Sequence, residues 1–328
     1  SDVCSSDLKT APTATHNLMP AIWTNGNVNI NVIANDTQSG IKRIKMPDGN
    51  YVSSSNINYT VSSNGSYVFQ IEDNTGNIAN YIVGVTNIDK VKPNSPTINT
   101  NRNWINAISV PVSITGGADV SPGSGLSYYQ YKLSGATTSD WINYVGVFNV
   151  VNEGTTTITA RSVDGVGNIS TETTAVVRID RQYPVNTSIT INNNAIHSNS
   201  RNVTLSLYAS DIHSGVSAMQ FRNEDGDWST EEAYNTSKAW TLSVGDGTRT
   251  VGVRFKDLAG NWSPEVKDTI ELDTTAPVVG NFIVQGGRPY YNSNTVNIEF
   301  GATDNLSGIR EMYVSNDNVT WTTMPYTE

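Results

Sequence analysis

Apolar and polar residues alternate in four well-separated runs: Val28, Ile30, Val32 and Ala34; Ile108, Val110, Val112 and Ile114; Val203, Leu205, Leu207 and Ala209; Val296, Ile298, Phe300 and Ala302. A period of two predicts half-buried strands, one face on a core and the other in water. No stretch of comparable length shows helical spacing. Each run leads into an acidic turn closed by Ser-Gly and an apolar residue: Asp36 to Ser39-Gly40-Ile41, Asp211 to Ser214-Gly215-Val216, Asp304 to Ser307-Gly308-Ile309, and a longer version from Asp119 to Ser124-Gly125-Leu126. An aromatic-rich strand follows, carrying Tyr129 and Tyr131, Met219 and Phe221, or Met312 and Tyr313. Turn residues and a tryptophan come next, Trp141, Trp228 or Trp321, where the first copy has Tyr51. Alternation resumes at Tyr67, Phe69 and Ile71 and at Val251, Val253 and Phe255. It runs into an Asp-x-x-Gly-Asn turn that starts at Asp73, Asp164 or Asp257, then into a last strand such as Tyr81 to Ile88 or Lys267 to Leu272.

The turns reveal a repeat. Gly76, Gly167 and Gly260 stand 91 and then 93 residues apart, about one domain per copy and too long for a solenoid unit. About seven short strands in ~90 residues, with a turn every 8 to 12, is the pattern of an antiparallel two-sheet sandwich. The expected fold is all-β, with domains at 9–90, 91–180, 181–273 and 274–328. The last copy stops before a second sheet is complete, so 274–328 is expected to expose apolar strand faces. The joints run from Asp89 to Pro93, Asp180 to Pro184 and Asp273 to Pro277. Proline fixes φ and removes a donor, so such a joint is stiff and extended, and the array is expected to be a monomeric rod.

Composition narrows the function classes. Hydrophobic residues make up 37% of 328 positions, enough for a modest core in each copy. The net charge of −10 is spread along the chain without a Lys/Arg cluster, which disfavours nucleic acid. No apolar run approaches the ~20 residues of a membrane span. The single cysteine, Cys4, lies in Ser1-Asp2-Val3-Cys4-Ser5-Ser6-Asp7-Leu8, which is the first-frame translation of TCAGACGTGTGCTCTTCCGATCT. That string resembles a common sequencing-library adapter, and residues 1–8 are read as an artefact. The remaining chain has no cysteine, which suits a bacterial exterior where packing or ions replace disulfides.

Leu272-Asp273-Thr274-Thr275-Ala276-Pro277, the Asp-x-x-Ser-Gly turns and the Asp-x-x-Gly-Asn turns resemble the bacterial Ig-like repeats of large surface and secreted proteins. Adhesins and accessory regions of wall- or polysaccharide-degrading enzymes carry such modules. The resemblance covers nearly the whole chain after residue 10. It implies tandem Ig-like or fibronectin-III-like antiparallel β-sandwiches in an extended array, at the cell surface or outside the cell. Its functional meaning is broad, because these modules serve as spacers in unrelated proteins.

Strand parity carries Asp36 and Asp73 to one end of the first core, and Asp211 with Asp257 repeats the relation. If the strands are wired as in an Ig-like sandwich, the preceding linker enters at that end and brings an aspartate with it. The candidate clusters are Asp89 with Asp119 and Asp164, Asp180 with Asp211 and Asp257, and Asp273 with Asp304. Three carboxylates with nearby carbonyls suit calcium, which takes six to eight oxygen ligands. The other reading is that each Asp only caps its own turn through backbone hydrogen bonds, with glycine supplying a positive φ. Tyr128, Tyr129, Tyr131, Trp141 and Tyr144 are the densest aromatic group and a candidate sugar-stacking site. Their recurrence in sister copies equally suits sheet packing.

Catalysis finds no motif. His16 lies in the first copy and His197 and His213 in the third, without metal-ligand spacing, and no nucleophile elbow, His-Glu-x-x-His or phosphate loop occurs. The chain reads as a non-catalytic stalk, spacer or adhesive array of an exported bacterial protein. Two alternatives stand beside it: an accessory region of a secreted degradative enzyme, and glycan binding by one module. Partners under these readings are cell-surface or wall glycans or host proteins. Independent long-read sequencing of the genomic locus is expected to lack the codons for residues 1–8, and finding them there would overturn the adapter reading.

Overall fold

The computed structural model describes residues 9–327, so the adapter reading of residues 1–8 lies outside the described residues. Two compact units divide the chain: residues up to 103 with 108–179, and residues 104–107 with 180 onward.

The first unit holds two sheet pairs. Thr13–Met19, Val28–Asn35 and Asn56–Val61 form one sheet in that order; Tyr51–Val52, Ile41–Lys45, Gly65–Asp73 and Ile78–Val85 form its partner. Every neighbour is antiparallel. Val28–Asn35 buries Val28, Ile30, Val32 and Ala34 and places its asparagines on the other face. The two sheets share one core that includes Ile30, Val32, Ile44, Phe69, Ile71 and Val83. The second pair sets Phe148–Val150, Val110–Gly116 and Pro96–Asn99 against a sheet that runs through Ile142–Asn143, Leu126–Gly135, Gly154–Asp164 and Thr173–Ile179.

In the second unit, Val185–Ile191, Asn202–Ser210 and Ser237–Thr241 face a sheet ordered His197–Ser198, Val266–Leu272, Gly247–Asp257, Val216–Asn223 and Glu232–Ala233. Leu205, Leu207, Met219, Phe221, Val253, Phe255 and Leu272 meet between them. Two-stranded sheets complete the chain, Val278–Val284 with Ile298–Thr303 and Glu311–Ser315 with Trp321–Pro325. Here apolar side chains face solvent: Val279 is 71% exposed and Phe282 60%. The chain is therefore all-β, built of tandem antiparallel sandwiches; the helical element Gln285–Gly287 is a single 3₁₀ turn. No described helix is long and apolar enough to cross a membrane.

Three strand limits differ from the sequence pattern. Ile108 is 81% exposed, because the ladder to Phe148–Val150 ends at the Val110–Val150 pair and leaves Ile108 beyond it. Val296 is likewise outside, since Ile298 makes the last pair with Val284. The strand expected over Tyr81 to Ile88 is Ile78–Val85, and Ile88 is buried instead through a parallel bridge to Thr24.

Parity within one strand can be tested. Phe69 is fully buried, whereas Val68 is 45% exposed. In urea unfolding, Phe69→Ala is expected to cost about 3–5 kcal/mol and Val68→Ala to stay within about 0.5 kcal/mol; equal costs would contradict the register.

Candidate cation sites at the joints

The turn after the first buried strand is shaped by one carboxylate. Asp36 Oδ1 accepts the backbone N–H groups of Gln38, Ser39 and Gly40 at 2.9, 2.7 and 3.2 Å. The turn on the neighbouring strand repeats the device: Asp73 Oδ1 accepts from the N–H of Thr75 and Asn77, and its Oδ2 from the Asn77 amide at 2.7 Å. Burial pushes Asp73 up, but the Asn77 amide, the Asn77 N–H and the Thr75 hydroxyl together hold it well below the usual carboxylate range. The capping reading of these aspartates is thus observed directly.

At two joints a third carboxylate arrives from the linker. Oxygen atoms of Asp89, Asp119 and Asp164 lie within 4.8 Å of one another, and so do those of Asp180, Asp211 and Asp257. Asp89 Oδ2 takes the Ser124 N–H at 2.8 Å and its hydroxyl at 2.7 Å, while Asp119 Oδ2 takes the Gly125 N–H at 2.7 Å. Desolvation raises Asp89, and the Ser124 N–H and hydroxyl with the Val91 N–H together outweigh it, so the group is held below its ordinary value. In the second cluster the Ser214 N–H is shared between Asp180 Oδ2 at 3.1 Å and Asp211 Oδ1 at 2.9 Å. Gly215 at φ 78° and Gly260 at φ 98° supply the left-handed backbone that closes the two turns.

The third pair is partial. Asp273 Oδ2 accepts the Ser307 N–H at 3.0 Å and Asp304 Oδ1 the Gly308 N–H at 2.8 Å, the same grip on the same turn. The Ser307 hydroxyl, then its N–H, holds Asp273 low.

One part of the joint escapes the sequence reading. The Asn168 amide donates to Asp164 Oδ2 at 2.7 Å, to the Asp89 carbonyl at 3.1 Å and to the Val91 carbonyl at 3.3 Å. Asn261 does the same with Asp257, Asp180 and Gln182 at 2.7, 3.1 and 2.9 Å. The asparagine that ends each Asp-x-x-Gly-Asn turn therefore holds the incoming linker backbone. Its signal was in the repeat itself, since Asn77, Asn168 and Asn261 share one position. Asp246 acts from another loop, accepting from the N–H and hydroxyl of Thr274 at 2.9 and 2.7 Å.

The donor set fits a hard cation. Like charges about 5 Å apart repel by roughly 3 kcal/mol at an effective dielectric near 20, and Asp89, Asp164, Asp180 and Asp257 are all nearly buried. Backbone donors offset part of this. The Ser214 hydroxyl is buried and without a partner in the same turn that Asp180 and Asp211 hold, an oxygen ligand in reserve.

The aromatic candidates are largely spent on protein partners. Tyr131 stacks on Phe148 with centroids 4.1 Å apart, and Tyr144 packs edge-on to Tyr129 at 6.0 Å. The Tyr129 hydroxyl donates to the Gly116 carbonyl at 2.6 Å. Arg161 lies 3.8 Å over the Trp141 ring, with Lys132 at 4.7 Å. Tyr128, 38% exposed, is the most open of the five.

No protein-family model and no curated protein sequence matches the chain. Solved structures with partial likeness include the FN1–FN3 domains of chicken CNTN1, at 11% identity over 80% of this chain and 99% of that one, TM-score 0.27. Fibronectin(III)-like modules of Clostridium thermocellum CbhA match at 14% identity over 54% and 94%, TM-score 0.29. A Ca2+-stabilized adhesin with which an Antarctic bacterium binds ice matches at 17% identity over 84% and 78%, TM-score 0.35.

The capping of Asp73 has a pH signature. Its folded value lies below the ordinary aspartate value of 3.8, so its contribution is present above that unfolded value and is lost as pH falls through the folded one. The gap in urea stability between wild type and Asp73→Asn is expected to be constant from pH 6 to 8 and to narrow below about pH 4; a gap that does not narrow contradicts the assignment.

Proposed function

We propose that this chain is a non-catalytic repeat region of an exported bacterial protein, a stalk, spacer or adhesive array at the cell surface or outside the cell. Its modules are 9–90, 91–180, 181–273 and 274–328, and calcium closes the joints between them. The observation that carries the reading is the linker aspartate: Asp89 and Asp180 each stand with two turn carboxylates within 4.8 Å. A spacer needs its joints stiff, and a cation held by a linker and the next sandwich couples the two mechanically. Asp89, Asp119 and Asp164 would hold one ion, Asp180, Asp211 and Asp257 the other. Bound calcium would supply the positive charge that neutralises each trio.

An accessory region of a secreted polysaccharide- or wall-degrading enzyme would use the same joints. The coding sequence around this region separates the two: a catalytic domain selects the second, further copies with a wall anchor the first.

Calcium is expected to raise the melting temperature of the full chain relative to EDTA. Extracellular calcium modules bind with Kd of roughly 10⁻⁴–10⁻³ M, and saturation to 100 Kd adds about 2.7 kcal/mol to the domain concerned. Titration calorimetry is expected to count two ions per chain and one in Asp257→Asn. A melting temperature unmoved between about 10–100 mM calcium and EDTA would reject the sites.

A further inference from the structure

Asn-Gly occurs twice in the chain, at Asn25-Gly26 and Asn64-Gly65, and both pairs belong to loops that meet the first linker. The Thr24 N–H donates to the Asn87 carbonyl at 2.9 Å and the Asp89 N–H to the Thr24 carbonyl at 2.8 Å. One residue on, the Asn25 amide donates at 3.0 Å to the carbonyl of Val166, inside the turn that Asp164 opens. Asn64 holds the linker itself. Its amide donates to the Ile88 carbonyl at 2.7 Å, and its Oδ1 accepts the Ile88 N–H at 2.9 Å. Lys90 ties the linker to the same two loops, at Asn27 Oδ1 and the Ser62 carbonyl, 3.1 and 2.9 Å away.

The backbone does not demand glycine at either place. Neither Gly26 nor Gly65 sits in the left-handed region, unlike Gly76, Gly167 and Gly260 in the acidic turns. A Cβ at Gly65 would meet nothing nearer than the Tyr67 ring at 3.9 Å, and one at Gly26 only the Thr24 hydroxyl at 3.3 Å. What sets the two pairs apart is their chemistry. With no Cβ on the following residue, its backbone nitrogen is unshielded from the asparagine Cγ, and all four residues are open to water. The Gly65 nitrogen gives its proton to solvent and attacks Asn64 Cγ; the N–Cγ bond forms, the Cγ–NH2 bond breaks, and the departing nitrogen takes a proton from solvent as ammonia. Water then opens the succinimide at one of its two carbonyls, leaving aspartate or isoaspartate. Asn25 and Gly26 react in the same way once the Gly26 N–H leaves the Thr24 hydroxyl, which holds it at 3.0 Å.

The product cannot remake the contact. A carboxylate accepts hydrogen bonds and donates none, so the bonds to the Ile88 and Val166 carbonyls are lost, and isoaspartate also lengthens the main chain by one methylene. In the folded chain both polar atoms of the Asn64 amide are bound to Ile88, so Cγ reaches the glycine nitrogen only when this contact opens locally. Asn168 and Asn261 hold linker carbonyls too, but Ile169 and Trp262 follow them and shield the nitrogen.

We propose that Asn25-Gly26 and Asn64-Gly65 are a self-modification site, where deamidation by the chain's own backbone and water releases the first joint irreversibly and leaves the second, held by Asn261, intact. The site stands on these contacts alone and does not rest on the calcium reading.

The test ages the full chain in mildly alkaline buffer with EDTA, maps aspartate and isoaspartate by peptide mass spectrometry, and reads hydrogen exchange at the Ile88 amide. Product is expected at residues 25 and 64 well ahead of 168 and 261, and faster in urea, where the contacts are gone. In the aged chain the Ile88 amide is expected to exchange about 3- to 10-fold faster, the worth of one hydrogen bond. Gly65→Ala should keep residue 64 as asparagine and Ile88 protected, whereas Asn64→Asp should exchange faster at Ile88 without ageing. Failure of either pair to react ahead of 168 and 261, product at 64 without faster exchange at Ile88, an undiminished rate at 64 in Gly65→Ala, or an Asn64→Asp chain as protected as wild type would overturn the proposal.

Discussion

Everything at the joints depends on one linker aspartate that faces two ways. The side chain of Asp180 reaches forward to the N–H of Ser214, while its own carbonyl is held by Asn261. Asp89 stands in the same relation to Ser124 and Asn168. A linker gripped by both turns at once cannot swing without breaking hydrogen bonds made in a nearly buried setting. Chain connectivity alone would leave the linker free of both turns; the aspartate ties it to them.

This grip is built from parts that each sandwich already needs. Asp36 and Asp73 fold their turns with no third carboxylate grouped with them among the described residues, and the donors around them hold both below the usual carboxylate range. Adding a third carboxylate changes the balance, because the same backbone donors must now serve three charges within 4.8 Å. Under the proposed function a divalent cation would offset that excess. The capping and calcium readings are then compatible: capping shapes the loops, and the shaped loops would present oxygens to an ion.

Much of this was legible in the chain itself. Val28 to Ala34 and Val203 to Ala209 alternate strictly, and burial follows that alternation residue by residue. The acidic clusters could be placed because parity assigns Asp36 and Asp73 to one sheet end and the repeat transfers that placement to Asp211 and Asp257. What escaped depends on contacts between segments distant in sequence. Nothing local marks Asn168 or Asn261 as a linker clasp, since their partners lie 77 to 81 residues away. Trp141 looked available for a sugar because the cations that cover it, Arg161 and Lys132, belong to neighbouring strands. Ile108 fits the alternation yet lies past the end of its ladder, a limit set by the partner strand.

The central claim is that linker aspartate and calcium together hold a joint rigid. The most direct measurement is the width of a spin-label distance distribution across the Asp89 joint, with labels at the exposed positions Ser53→Cys and Thr138→Cys in a Cys4→Ser background. The account expects a narrow distribution in calcium that broadens in EDTA and stays broad in Asp89→Asn under both conditions. A width that neither chelation nor Asp89→Asn changes would contradict it.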